Sequence, residues 1–302
     1  MASNESRKWA LVTGVSPGGL GEALTLELLR REINVIATGL RLDHVDHLPA
    51  SPSLAKLQLD VTDPSSIATA VARTTELTNG KLSYLINNAG YGYLAPITDL
   101  SLSATKANFD VNVFGLLAVT QAFFPLLRSA RGTVVNQCSI AALPPARQPY
   151  LGIYSATKAA VASLNDTMRV EFAPFGVKVV NLVTGDVRTE FWRNVAAKAE
   201  VLAGDSPYAP IRQDVETIVS GETRPKGGHE RGVWAANVVG DLLRRPESPP
   251  RFIRRGFLAT AMYVASLLLP AWVADWAFGR TCSLYELQGI LERQKGKEVK
   301  EQ

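Results

Sequence analysis

Short apolar runs alternate with helix-period segments at least five times before residue 185. This rhythm limits the chain more than any single residue does. A short apolar run fits a strand buried on both faces, and a helix between two such runs returns the chain to lay the next strand parallel to the last. The expected fold class is therefore α/β, a doubly wound parallel sheet with helices on both faces. Strands are expected over 9–14, 33–38, 57–61, 82–87, 132–138 and 177–183, with a helix over 232–243 and a last short strand over 251–255. The chain has 302 residues, 46% of them apolar, enough for one large core. We divide it into an α/β unit, 1–250, and an apolar helical extension, 251–302. The stretch 190–232, with several Gly and Pro, reads as a long polar irregular loop over a site.

The first strand runs into Val15-Ser16-Pro17-Gly18-Gly19-Leu20-Gly21, and a helical pattern follows through Leu24, Leu28 and Leu29. Strand, glycine-rich turn and helix in that order make an anion site. Backbone N–H groups and the positive helix end face a phosphate, and glycines let the backbone come close. The spacing is not G-x-G-x-x-G, and no lysine follows Gly21, so this is not a P-loop. After the second strand comes Thr38-Gly39-Leu40-Arg41. A carboxylate there would bind a ribose 2′-hydroxyl; Arg41 suits a 2′-phosphate, so NADP(H) is the expected cofactor. The plainer alternative for Arg41 is a solvated loop residue.

The fourth strand ends in Asn87-Asn88-Ala89-Gly90, small and amide residues that suit close approach to a ligand. Asn112 interrupts the apolar pattern Val111, Val113, Leu116, Leu117, as a satisfied core amide or as part of a site. Ser139 follows the fifth strand. Fifteen residues later a helix carries Tyr154 and Lys158 one turn apart on one face. A phenol with an ordinary pKa near ~10 exchanges protons poorly at neutral pH. A neighbouring ammonium favours the phenolate, and such a tyrosine can protonate a carbonyl oxygen or take a proton from an alcohol.

Taken in order, Thr13-Gly14, Gly19-Leu20-Gly21, Asp60, Asn88-Ala89-Gly90, Asn112, Ser139, Tyr154-x-x-x-Lys158 and the loop 184–189 resemble the short-chain dehydrogenase/reductase family over about residues 8–245. The resemblance implies a Rossmann fold and the following roles. Tyr154 is the general acid in reduction, Lys158 lowers its pKa and holds the nicotinamide ribose, and Ser139 hydrogen-bonds the substrate carbonyl. Asn112 holds a water that links Lys158 to solvent. Gly14, Ser16, Gly19, Leu20, Gly21, Arg41, Asp60, Asn88, Ala89, Gly90, Val187 and Thr189 bind the cofactor, together with Tyr154 and Lys158. Two departures stand out. The glycine loop is one residue longer than the family's commonest form, as in the branch of NADPH-dependent 1-acyldihydroxyacetone-phosphate reductases. Thr184-Gly185 also replaces the family's frequent Pro-Gly.

Other readings are bounded by charge and residue type. A net charge of +4, without any recognition motif, gives no reason to expect a nucleic-acid partner. His44, His47 and His229 lack metal-ligand spacing, so no metal is expected. Two cysteines, Cys138 and Cys282, imply no disulfide framework and suit a reducing compartment. The polar stretch Met1–Lys8 reads as no signal peptide.

Gly256 to Ala274 is nineteen residues without a charge, preceded by Arg251, Arg254 and Arg255. Pro270 interrupts it, Asp275 follows, and Trp272 and Trp276 suit a membrane interface. A membrane surface is the expected partner of 251–280; a dimerisation helix and a flap over the substrate pocket are the alternatives. Glu292 to Gln302 reads as a charged tail. The expected activity is NADPH-dependent reduction of a ketone to a secondary alcohol. The substrate would be apolar or lipid-like, such as an acyl-dihydroxyacetone phosphate, or a ketone of a specialised polyketide or terpenoid pathway. A non-catalytic nucleotide-binding scaffold is the rival of another class, and a membrane interaction module with vestigial catalysis is a third. Phe191, Trp192 and Tyr208 point to an apolar pocket; Arg188, Arg193 and Arg212 would serve an anionic group or simply be surface charges. A homo-oligomer is expected, on the cytoplasmic side of the endoplasmic reticulum or a lipid droplet.

Overall fold

Each apolar run becomes a strand because its backbone groups pair only with neighbouring strands while its side chains enter the core from both faces. The structure is a computed structural model; it describes residues 8–197, 202–222 and 228–301. The strands are β1 (Trp9–Val12), β2 (Asn34–Gly39), β3 (Leu54–Gln58), β4 (Tyr84–Asn87), β5 (Thr133–Ser139), β6 (Lys178–Thr184) and β9 (Phe252–Arg255). They form one seven-stranded sheet in the order β3-β2-β1-β4-β5-β6-β9, parallel throughout. The order reverses between β1 and β4, and the crevice outside the strands' carboxyl ends there is where such sheets bind ligands.

Helices α1 (Leu20–Arg30) and α8 (Arg231–Arg244) cover one face, with Leu24, Leu28, Trp234 and Val238 buried against the sheet. Helices α2 (Pro64–Thr78), α4 (Leu116–Ala130) and α5 (Gly152–Glu171) cover the other, around Phe123, Leu127 and Val161. Asp63 caps α2 by accepting from the Ser65 N–H, with Pro64 at the first helical position. The segment from α3 (Leu102–Phe109) through α4 is long and apolar enough to cross a bilayer, but half of its most apolar window is buried here as a core helix.

Two expectations are corrected. The third strand lies at 54–58, not 57–61. As the sheet's edge it is half exposed, and the more apolar Leu59 and Val61 are buried where the chain turns back over the carboxyl end. Nor are the described parts of 190–232 irregular throughout; 198–201 and 223–227 lie outside the described residues. They hold α6 (Phe191–Ala196), a 3-10 turn at Ala209–Ile211, α7 (Arg212–Ser220) and the short strand β8 (His229–Glu230), which pairs with β7 (Val187–Arg188). Two of the Gly and Pro residues that suggested a loop are punctuation. Pro210 opens the 3-10 turn, and Gly221 closes α7 at φ 81°. Ile211, Val215, Ile218 and Val219 instead supply a buried helical stripe.

After β9 the extension folds as α9 (Ala259–Leu268), α10 (Ala271–Thr281) and α11 (Leu284–Glu301). Pro270 separates α9 from α10, since it cannot continue a helix. The extension is laced at its root to the loop after β6. Gly185 N–H donates to Arg255 O at 2.8 Å, and Asp186 and Phe257 exchange backbone bonds of 3.1 and 2.9 Å. Gly185 has to be glycine, because a side chain there would run into the Phe257 carbonyl. Expected to be a charged tail, 292–302 is helical through Glu301.

Candidate active site

Ser139 closes β5 in an extended conformation, and its Oγ accepts from the Ala141 N–H at 3.1 Å, opening the next turn. The chain then crosses the Pro-rich segment and reaches Tyr150, whose φ of 69° is costly for a bulky residue. Two bonds hold it there: Tyr150 O accepts from Ala95 N–H at 3.0 Å, and Tyr150 Oη donates to Cys282 O at 2.9 Å. Burial pushes the Tyr150 phenol well above its ordinary range, so it remains a donor. Two residues later α5 begins, and its first turns carry Tyr154 and Lys158.

Lys158 is 5% exposed. Its Nζ donates to Gln137 O at 2.9 Å and lies 5.7 Å from the Tyr154 ring centroid. Burial pulls the ammonium below the usual lysine range, and the Cys138 thiol opposes that shift. Burial in turn raises the Cys138 thiol. The Tyr154 ring meets Phe191 of α6 at 5.5 Å.

Asn112 sits in a π turn, Asp110–Gly115, joining α3 to α4. Its Oδ1 accepts from Tyr91 N–H at 3.0 Å; its Nδ2 donates to Tyr91 O at 2.9 Å and Thr157 Oγ1 at 3.1 Å. The side chain thus clamps the segment after β4 to α5. Both amide hydrogens are thereby used, and a water held by the side chain would take the second lone pair of Oδ1.

The glycine loop is built around Thr13. Its Oγ1 accepts from Asn88 N–H at 3.0 Å and Ala89 N–H at 2.9 Å, while Asn88 Nδ2 donates to Thr13 O and Gly14 O. Gly14 has φ 68°, and a Cβ there would lie 2.6 Å from Ala89 Cα. Gly19 precedes α1 without a side-chain cap, and Gly14, Ser16, Gly19 and Leu20 wall one cavity. An uncapped helix start beside close backbone fits a dinucleotide pyrophosphate. The buried Oε1 of Gln137, without a partner among the described residues, leaves one more acceptor at the cavity wall.

That cavity, about 690 Å³, also takes in Asn88, Gly90, Ser139, Tyr154, Lys158, Val187 and Thr189. Five expected residues stand outside its wall. Gly21, Ala89 and Asn112 lie behind it as supports; a Cβ at Gly21 would meet Asn88 Nδ2 at 2.7 Å. Asp60 accepts from Thr62 N–H and Oγ1 at 2.8 and 2.7 Å, fixing the turn after β3. Arg41 is exposed and paired with Asp43 at 2.9 Å. Phe191 and Trp192 line the cavity, whereas Tyr208 packs beneath it on Tyr150. Arg188, Arg193 and Arg212 pair with Glu230, Glu190 and Glu216 and line none of it, so they are surface charges.

Sequence reasoning missed two contributors and held a third only as an alternative. Gln137 accepts Lys158 on its backbone, and its Nε2 donates to Thr184 Oγ1 at 2.7 Å; two adjacent amides, Asn136 and Gln137, inside a buried strand were the available signal. Thr184, flagged as a departure, is thereby the hydroxyl partner that a proline could not be. Tyr150 carried no signal. The third contributor is the cavity's roof, the flap weighed above: Met262 and Ala265 of α9, Leu269 in the turn, and Val273 and Phe278 of α10 line the same cavity as Tyr154. The extension is therefore a flap over the site, whatever else it binds.

A family model described as short chain dehydrogenase matches residues 8–200. The chain is similar to a short-chain dehydrogenase of Penicillium ochrochloron, 36% identical over 271 residues, 89% of this chain and 96% of that one. It is also 34% identical over 277 residues to an NADPH-dependent 1-acyldihydroxyacetone phosphate reductase of Schizosaccharomyces pombe, covering 87% of this chain and 90% of that one. A short-chain dehydrogenase crystal structure from Streptomyces avermitilis superposes with a TM-score of 0.73 at 26% identity, covering 98% and 100% of the two chains.

Proposed function

The chain belongs to the short-chain dehydrogenase family, as an oxidoreductase acting on CH–OH groups with NAD(P), and from that premise we propose that it reduces an apolar ketone with NADPH. The observation that carries this reading is that Ser139, Tyr154 and Lys158 wall the same cavity as the uncapped start of α1. Bound there, the nicotinamide would supply hydride. Ser139 Oγ would donate to the substrate carbonyl oxygen, which gains charge as the carbon is reduced. Tyr154 Oη would deliver the proton to that oxygen, and the Lys158 ammonium would favour the phenolate left behind. Gln137 O and the Asn112 clamp fix Lys158 and α5 so that this geometry is in place before substrate arrives.

Preference for NADPH draws support from Arg41 and from the cofactor in the Schizosaccharomyces relative's name. Arg41 would have to exchange Asp43 for the 2′-phosphate. Arg41→Ala should weaken NADPH by about 10- to 100-fold, the value of one charge-assisted bond, and leave NADH unchanged. Equal loss for both cofactors in a fluorescence titration would remove the argument.

Two substrate classes suit an apolar roof, an acyl-dihydroxyacetone phosphate and a neutral ketone of specialised metabolism. One observation favours the second. The charged side chains that wall the cavity, Lys158 apart, are the carboxylates Asp186, Glu190 and Asp275, and no described arginine joins them. NADPH oxidation with a long-chain ketone, an acyl-dihydroxyacetone phosphate and its phosphate-free counterpart tests both levels. No turnover with any of them sinks the reductase reading, leaving the nucleotide-binding scaffold. Preference for the phosphorylated substrate sinks only the neutral one. A cytoplasmic-side location and a homo-oligomer belong to the same proposal; the buried thiols Cys138 and Cys282 support a reducing compartment.

A further inference from the structure

We propose that the outer face of the α9–α10 roof docks on an anionic lipid bilayer, and that the substrate passes from that bilayer into the cavity through the turn between the two helices. The second half rests on the ketone-reductase reading; the first does not. Helices α9 and α10 hold 10 and 11 residues, about half the length that spans a bilayer, and Pro270 separates them. They can lie on a membrane but not cross it.

Their two faces differ in what they touch. Met262, Ala265 and Val273 turn inward to the cavity. Leu267, Leu268, Trp272 and Trp276 turn outward and are 67%, 73%, 67% and 50% exposed. So many large apolar side chains on one short hairpin mark an interaction surface rather than ordinary scatter. The turn joins the two faces. Leu269 is half exposed yet lines the cavity, as do Pro270 and Ala271. An apolar solute moving along them would meet no polar barrier.

Charge decides for lipid over a second copy of this chain. Residues 251–283 contain four arginines and one acid, Asp275, which lines the cavity. Arg251 and Arg255 are paired with Asp166 and Asp241. Arg254 and Arg280 form no ion pair among the described residues and lie over aromatic rings, Arg254 4.1 Å from the Tyr263 centroid and Arg280 4.8 Å from that of Trp276. Tryptophan at headgroup depth beside arginine at lipid phosphates is the arrangement of an interfacial helix. A two-fold contact through the same face would gather the unpaired arginines of both copies on a segment that offers one acid per copy, whereas lipid phosphates supply the missing anions.

The test uses the full-length protein and vesicles of phosphatidylcholine with or without phosphatidylserine. The protein should float with the phosphatidylserine vesicles, and Arg280→Gln should weaken that binding about fivefold. A triple variant, Leu267→Glu, Leu268→Glu and Trp272→Glu, replaces no residue that lines the cavity. It should stay in the soluble fraction, reduce a water-soluble ketone as the parent does, and reduce a vesicle-borne ketone at least about tenfold more slowly, the loss expected when buried apolar area is given up. Flotation of the triple variant like the parent, or a parent that dimerises through this face and ignores vesicles, would overturn the docking. Equal rates on the vesicle-borne ketone would overturn the route. If no ketone is reduced, the route fails with the reductase reading, and flotation still decides the docking.

Discussion

Lys158, on the floor of the cavity, and Asn112 behind it are almost fully buried and hold partners on the backbone of Gln137 and Tyr91, whereas Met262, Leu269 and Val273, in its roof, present only apolar groups and keep part of their surface in water. The floor is fixed by directional bonds in a low-dielectric setting, where each lost partner costs the desolvation of the group left behind. The roof is held by contacts that any apolar surface of similar shape can replace. Chemistry needs the first kind of wall, because the proton donor must be in place before the carbonyl arrives. Substrate selection and delivery tolerate the second.

The largest expected effect tests the floor. Tyr154→Phe removes one oxygen and should lower turnover by about 10²- to 10⁴-fold, the worth of a positioned general acid. NADPH binding should stay nearly intact, because the cavity keeps its shape. Turnover close to that of the parent would show that the proton comes from elsewhere, and the contrast between floor and roof would lose its chemical meaning. The corresponding roof change is gentler. Met262→Ala should raise KM for a long apolar ketone roughly tenfold with kcat unchanged, since it removes uniform binding rather than transition-state contact. A fall in kcat with KM unchanged would place the roof among the catalytic parts.

A pH measurement probes the floor without substrate. Burial lowers the Lys158 pKa in the folded protein. Between that lowered value and the ordinary lysine value near ~10.4, the unfolded chain carries a proton that the folded one has released. Stability contributed by this site therefore rises with pH through that window, with a slope of at most one proton, ~1.4 kcal/mol per pH unit. Denaturant unfolding of the apoprotein and of Lys158→Met, compared over that range, cancels the groups the two share. The difference should move toward the parent as pH rises. Movement toward the variant would mean that the amine is stabilised as a cation, which contradicts its burial.

Legibility in the sequence divides along the same line. The sheet's parallel order followed from apolar runs interrupted by helices, and the glycine loop from the strand before it and the helix after it. Tyr154 and Lys158 could be paired because a four-residue spacing on a helix leaves little freedom. The clamp at Asn112 could not be read, since a π turn has no composition of its own and the residue's partners are backbone atoms at Tyr91. Tyr150 was equally silent, because a bulky residue at positive φ is disfavoured locally and exists here only through tertiary bonds. The stretch 256–274 was legible as apolar and no further. A bilayer, a dimer partner and a cavity roof all ask for the same side chains, and only the fold shows which of them face inward.

The smallest expected effect lies where floor and roof meet. Tyr150 Oη donates to Cys282 O, beside a longer bond from Gln148 Nε2 to Cys282 Sγ, and these tie the turn before α5 to the end of α10. Tyr150→Phe deletes the donor and leaves a buried carbonyl, at a cost of about 1 kcal/mol in denaturant unfolding. If the roof is a separable cover, KM for the apolar ketone should rise modestly while reduction of a small water-soluble ketone holds, because Tyr154 keeps its place in the first turn of α5. If both substrates suffer equally, the strained backbone at Tyr150 depends on its hydroxyl bond, and α5 moves with it. The roof would then help position the proton donor, and the division drawn between a rigid chemical wall and an exchangeable apolar one would have to be given up at this residue.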